Sequence, residues 1–227
     1  MKIKNIFLLS GALWILNSIV LIGQSSEAAE SNEARINFDE NKPGSLPEGW
    51  KIDATHPGKQ LAQWEVTQDN TAPSQPNLLS LTQTNNSSDD VFNLYWTRQI
   101  LFKNGSLEVK MKANSGDADQ GGGLIWRVQD ADNYYIARYN PLERNFRVYF
   151  VKDSYRKMLA SINADIPSHE WFVMTVIHQR NEITCLLNGQ ELLHVKDETF
   201  PNEGGVGFWT KADAASSFDD FVVRKTD

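Results

Sequence analysis

The chain predicts an all-β fold, an antiparallel sandwich, on three observations. Beyond Ala29 no long segment spaces its apolar residues for a helix face. Short β-rich runs recur instead, and clusters of Gly, Pro, Asn and Asp separate them. Residues 121–151 condense the pattern into three strands joined by two tight connections, at 129–133 and 140–145. About a dozen such strands with regular turns fit two packed sheets.

In chain order, strands are expected at 34–38, 63–66, 77–82, 92–99, 105–113, 122–129, 133–139, 146–151 and 157–162. They continue at 171–179, 182–188, 191–195, 204–209 and 218–224. The runs 171–177 and 183–187 are apolar at nearly every position, which predicts central strands. Asn188-Gly189 is a strong hairpin signal because both residues tolerate positive φ, and Lys103-Asn104-Gly105 plays a similar part before 105–113. Segments 68–76 and 84–90 are polar loops, and 115–123 is an acidic, glycine-rich loop leading into the aromatic strands. No linker divides residues 30–227, so they read as one domain.

Lys2 and Lys4 precede an apolar run from Ile6 to Ile22, followed by Ser25, Ser26, Ala28 and Ala29. This is the order of a secretory signal peptide, expected at 1–29. The alternative is an uncleaved anchor, since the run approaches the roughly 18 apolar residues that mark a span. Asn17 and Ser18 interrupt it, and its Ser/Ala-rich end suits cleavage. A secreted or periplasmic protein is therefore expected, without stable membrane insertion. The formal net charge is −7, and removing Lys2, Lys4 and Glu27 makes it one unit more negative. Phosphate binding rests on clustered Lys and Arg, so this balance argues against nucleic acid or anionic membrane as partners. Cys185 is the only cysteine, so no intramolecular disulfide is available and the core must hold the fold.

Alternation along a strand assigns side chains to faces. Phe92, Leu94 and Trp96 share one face, as do Phe146, Val148 and Phe150, and both sets read as core. Trp126 shares parity with Leu124 and Val128, so Arg127 is expected to face water, as are Arg147 and Tyr149 on their strand. On 133–139, Tyr135 and Tyr139 oppose Ile136 and Arg138, and parity does not say which set is outward. Arg127 and Arg147, joined by either Tyr135 or Arg138, would suit hydroxyl or carboxylate groups; both could join only across a bulge. The competing reading is a solvated arginine ladder paired with Asp130, Asp132 or Glu143. Trp209 is placed at the rim as a stacking ring, and Cys185 reads as a small buried hydrophobe.

Catalytic motifs are sparse. The chain has no His-Glu-x-x-His, no Gly-x-Ser-x-Gly and no phosphate-cradling glycine loop, and His56, His169, His178 and His194 lack metal-ligand spacing. Asp219 and Asp220 are the leading acidic candidates, and as strand neighbours only one can face a ligand. It would act as a general base or, with loop carbonyls, hold a structural calcium ion. The alternative is that it caps a turn or pairs with Arg127 or Arg138. The 116–119 loop offers further oxygens, though fewer than an EF-hand loop. No motif asks for another cofactor.

Several segments carry a resemblance. They are Asn37-Phe38-Asp39, Leu46-Pro47-Glu48-Gly49-Trp50, Gly122-Gly123-Leu124-Ile125-Trp126-Arg127 and Asp132-Asn133-Tyr134-Tyr135, with Asn188-Gly189 and Phe218-Asp219-Asp220-Phe221-Val222-Val223. Together they resemble exported bacterial proteins with a concanavalin A-like (laminin-G-like) jelly roll, and among them the 3-keto-disaccharide hydrolase-like group, domain of unknown function 1080. The resemblance covers nearly all of residues 30–227 through strand signatures rather than catalytic motifs. It implies two face-to-face antiparallel sheets, with carbohydrate on the concave sheet or at its rim. Family-16-type glucanases of this fold carry Glu-x-Asp-x-x-Glu on one strand, whereas Glu108-Val109-Lys110-Met111-Lys112 has no acid at that spacing. A retaining glycosidase, with carboxylates about 5–5.5 Å apart, is therefore not expected. The leading expectation is an exported carbohydrate-binding domain. One alternative is an enzyme of the 3-keto-glycoside type, where a carbonyl near the glycosidic carbon allows elimination by a single base. Asp220 or Asp219 would be that base, with Arg127 and Arg138 as charge stabilisers. The other alternative is a structural envelope protein without a small ligand.

Overall fold

Simple alternation builds one sheet, and its breakdown builds the other. In β6 (Gly105–Ser115), Leu107, Val109 and Met111 are fully buried while Glu108, Lys110 and Lys112 lie on the opposite face. That is the pattern of a sheet with one face on the core. In β7 (Gly122–Asp130), β8 (Asn133–Asn140) and β14 (Gly204–Lys211) nearly every residue is buried, so those strands are covered on both faces.

The computed structural model describes residues 32–84 and 89–227; the expected signal segment and residues 85–88 of the polar loop lie outside them. Residues Ser31–Asp227 form one compact unit. The remaining strands are β1 (Glu33–Ile36), β2 (Trp50–Thr55), β3 (Gln63–Gln68), β4 (Asn77–Gln83), β5 (Phe92–Phe102), β9 (Asn145–Lys152) and β10 (Tyr155–Asn163). They continue with β11 (Trp171–Gln179), β12 (Glu182–Leu187), β13 (Gln190–Lys196) and β15 (Ala215–Lys225). One sheet runs β13-β12-β11-β6-β15-β4-β3 with β1 also on β15, and the other runs β10-β9-β8-β7-β14-β5-β2. Every pairing is antiparallel. The all-β jelly-roll sandwich expected from the sequence is the fold. Among the described residues no helix is long and apolar enough to cross a membrane.

Between the sheets, Trp64, Leu79, Leu107, Val109 and Met111 meet Tyr95, Leu124, Trp126, Tyr135 and Phe208. Trp50 stacks on Tyr95 and Phe208 at centroid distances of 5.0 and 5.6 Å, and Phe208 stacks on Phe218 at 4.8 Å. A second cluster lies on the far side of the seven-stranded sheet: Phe92, Leu94, Trp96, Ile125, Val128, Tyr134, Ile136, Val151 and Trp209. The Arg156 guanidinium, from edge strand β10, lies over rings of β9, β14 and β5, which requires a sharply coiled sheet. Coiling also brings His56, just past β2, to Ser154 O in the β9–β10 turn at 3.0 Å. This face is the concave one.

Three strand expectations change. β2 was not foreseen, because its Lys51 and Asp53 break the apolar run. The runs 171–177 and 183–187 lie in the outer half of their sheet, and alternate positions are half-buried or exposed. Phe92, Leu94 and Trp96 are core, as expected, but in the second cluster rather than between the sheets.

Candidate functional site

The β8–β9 hairpin aligns two arginines and two asparagines. Its register pairs Arg138 with Arg147 and Asn140 with Asn145, and period-2 alternation puts all four on the concave face with Tyr149. In the turn, the Glu143 N–H donates to Asn140 Oδ1 at 3.0 Å. The carboxylate then folds back, so that Oε2 accepts from Arg138 Nη2 at 2.9 Å and Asn145 Nδ2 at 2.9 Å, with Arg147 Nη1 2.8 Å away. Burial alone would raise the Glu143 pKa, but these hydrogen bonds and the two guanidinium charges hold it at about 2.

The loop before β7 adds a second carboxylate. Asp213 accepts the N–H groups of Asp117, Ala118 and Asp119, and Asp119 is itself buried. Asp119 Oδ1 accepts from Asn140 Nδ2 at 2.9 Å. Lys211 Nζ pairs with Oδ2 at 3.2 Å. Burial raises the Asp119 pKa against the opposing pull of Arg138 and Lys211.

Arg156 completes the cluster. Its Cζ lies 4.8 Å from the Tyr149 ring centroid, and Arg138 Cζ lies 6.0 Å from the same ring. Arg138 is 2% exposed, yet its Nε and Nη1 have no hydrogen-bond partner, and neither does Nη1 of Arg156. The cluster meets solvent through Glu143 and Arg147. Glu143 also lines an outer cleft of about 400 Å³ with Arg144, Asn163 and Asp165. Arg156 borders a second cleft, of about 540 Å³, with His56, Phe92 and Tyr155. Four cations and two carboxylates thus share one end of the concave face.

Of the residues singled out in the sequence, Arg138 and Arg147 come together, and Glu143, one of the three acids the ladder reading named, bridges them. Arg138, however, is buried rather than solvated as that reading had it. The others lie elsewhere. Arg127 does not face water: it is 1% exposed and donates to the carbonyls of Lys103, Phe200 and Arg180. Its strand bulges, with Arg127 at φ 47° and register slips against both neighbours, so Trp126 and Val128 fall on opposite faces despite equal parity. Tyr135 stacks on Trp126 between the sheets, and its hydroxyl donates to Asp197. Trp209 is fully buried in the second cluster rather than exposed at the rim.

Asp219 and Asp220 are carried by β15 in the other sheet, so neither joins Arg127 or Arg138. A bulge with Asp220 at φ 48° sets them there. Asp219 is buried and accepts from Ser74 N at 2.8 Å and Asp220 N at 2.7 Å, while Asp220 pairs with Lys110 at 2.7 Å. Burial, with Asp220 and Asp39 nearby, pushes the Asp219 carboxyl up to about 7 despite those hydrogen bonds. In the 116–119 loop the backbone N–H groups serve Asp213 and the Asp119 carboxylate serves the cluster. Among the described residues no three His, Cys, Asp or Glu side chains converge as metal ligands. The sequence reading named Asp119 only within a loop offering oxygens to a metal, and it missed Asn140, Asn145, Arg156 and Lys211 as site residues. Parity with Arg138 and Arg147 could have found the two asparagines; the rest depend on loop path and sheet coiling.

The sequence profile of the 3-keto-alpha-glucoside-1,2-lyase-like domain matches residues 38–224. No curated protein sequence matches. Among solved structures, a carbohydrate binding module, CBM66 from Bacillus subtilis, is similar with a TM-score of 0.60 at 14% identity, over 76% of this chain and 93% of that one. A Bacillus licheniformis beta-glucanase is similar with a TM-score of 0.57 at 11% identity, over 86% and 98%. A family 16 endo-glucanase from Bacteroides ovatus gives 0.59 at 9% identity, over 83% and 98%. At these identities the likeness is one of fold.

Proposed function

The chain belongs to the 3-keto-alpha-glucoside-1,2-lyase-like domain family, and on that premise we propose that it recognises a glycan at the Arg138 cluster of the concave sheet. One observation carries the reading: Arg138 is 2% exposed yet keeps Nε and Nη1 unpartnered. A buried guanidinium with idle donors costs free energy, and an acceptor-rich ligand offsets that cost. Sugar hydroxyl and ring oxygens are such acceptors, and Asn145 Oδ1, also without a partner, suits a hydroxyl donor. The carbohydrate binding module among the similar folds agrees with this use of the scaffold. A secreted or periplasmic location, through the segment 1–29, belongs to the same proposal.

The test is a glycan-array and calorimetric screen of the protein beside Arg138→Gln, with thermal unfolding as the control for folding. Binding that Arg138→Gln loses at preserved cooperativity supports the site. Binding that the variant retains removes it.

A second reading is favoured by Asp119, a buried carboxyl with a raised pKa whose Oδ2 pairs with Lys211 beside Arg138. On a 3-keto-glucoside it would take the C2 proton, acidified by the adjacent carbonyl. The electron pair forms the C1–C2 double bond as the C1–O bond breaks, and the leaving alkoxide takes a proton back from the Asp119 carboxyl or from water. Arg138 and Lys211 would stabilise the developing enolate. Asp119→Asn should abolish release of the aglycone from a 3-keto-glucoside while leaving binding within a few-fold.

A further inference from the structure

We infer that the Arg138 cluster selects glycans bearing a carboxylate, of the hexuronic acid class, over their neutral counterparts. The inference rests on the glycan reading above and adds the ligand's charge to it. Four cationic side chains, Arg138, Arg147, Arg156 and Lys211, face two carboxylates, Asp119 and Glu143. Glu143 meets both Arg138 and Arg147 through a single oxygen, Oε2. These six side chains alone sum to two positive charges within a protein whose formal net charge is −7, while Asp90 and Asp153 line the cleft beside Arg156 and Asp213 holds the Asp119 loop.

Geometry says where the surplus is felt. The guanidinium groups of Arg138 and Arg156 flank the same Tyr149 ring, and the unpartnered nitrogens belong to these two residues. A neutral hydroxyl would satisfy one donor but add nothing to the charge compensation that Glu143 gives Arg138 and Arg147. A carboxylate offers two oxygens to N–H groups and compensates charge as well, which makes charge-assisted bonds stronger than neutral ones. Tyr149, 4% exposed, supplies a ring edge and a hydroxyl already within 3.5 Å of Arg138 Nη2 and 3.4 Å of Arg147 Nη1, so the donors are held before a ligand arrives.

The experiment measures calorimetric affinity of the full chain for short galacturonic acid oligomers and for the same oligomers methyl-esterified, at low and at physiological salt. The acid form should bind about tenfold tighter or more, with the preference shrinking as salt rises. Arg147→Gln, at a half-exposed position, should cut the acid-to-ester ratio severalfold while keeping the thermal unfolding of the parent. Arg138→Gln should abolish the ratio. Equal or tighter binding of the ester overturns the carboxylate inference and leaves the glycan site standing. Binding of neither oligomer, with neutral glycans bound, likewise overturns it alone. Failure of every glycan, charged or neutral, overturns both readings.

Discussion

Asp219 shows burial overriding hydrogen bonding at the scale of one carboxyl. Two backbone N–H groups donate to it, yet its pKa is about 7, against an ordinary 3.8. The folded state therefore binds more protons than the unfolded state between pH of about 4 and 7. Stability from this group is present at the acid end, falls as pH rises through that window and is level above it. Asp219→Asn keeps an acceptor for the Ser74 N–H but does not titrate. Urea unfolding of both proteins across the window should show the variant gaining on the parent as pH rises, then holding its advantage. A difference that does not change with pH would place the Asp219 pKa near the ordinary value. Asp220 is a contrasting neighbour: its pair with Lys110 is partly exposed, so Asp220→Asn should shift stability by less than about 1 kcal/mol. The sequence reading weighed a turn cap or an ion pair with Arg127 or Arg138 for one of these aspartates; Asp219 instead accepts the Ser74 N–H of the 68–76 loop and the N–H of Asp220. Which of the two is buried was not legible, because a bulge replaces the alternation that would have decided it.

At the scale of elements, legibility follows the regularity of the backbone. The β12–β13 hairpin was readable from two letters, since Asn188 and Gly189 adopt φ of 49° and 79°. A Cβ at Gly189 would meet nothing within 4 Å, so Gly189→Ala should lose about 1 kcal/mol through backbone strain alone, as read by urea unfolding. Arg127 is the opposite case. Counting by twos from Leu124 and Trp126 sends it to solvent, but the β7 bulge turns it into the protein, where its fork gathers three carbonyls from three separate connections. No local motif announces a bulge in Trp-Arg-Val. Removing the fork strands those carbonyls, so Arg127→Ala should cost on the order of 3 kcal/mol in urea unfolding. Arg127→Lys should recover only part of that, because an ammonium cannot reproduce the planar geometry. A near-neutral Arg127→Ala would mean that the connections hold without it.

The described residues carry two apolar clusters, one between the sheets and one on the concave face, and this explains where the candidate site lies. A sheet buried on both faces reads as continuous apolar strands, and parity cannot say which side meets the partner sheet. Trp209 was therefore placed at a rim, whereas coiling of the seven-stranded sheet buries it with Phe92, Leu94 and Trp96. The second cluster fills one part of the concave face and leaves the Arg138 end polar. The two parts touch where Arg156 lies over both Trp209 and Tyr149. Trp209 should thus behave as a core residue with an effect on the site. Trp209→Ala is expected to cost about 3–5 kcal/mol in urea unfolding, the range for a buried aromatic, whereas an exposed stacking ring would cost far less. Trp209→Phe keeps most of the packing and a ring face, so it should restore most of the stability. Any loss of glycan affinity that persists in Trp209→Phe, at near-parental stability, would report how far the Arg156 position depends on the indole. A stable Trp209→Ala protein that fails only in binding would return Trp209 to the role of a ligand-stacking ring and locate the glycan over the second cluster.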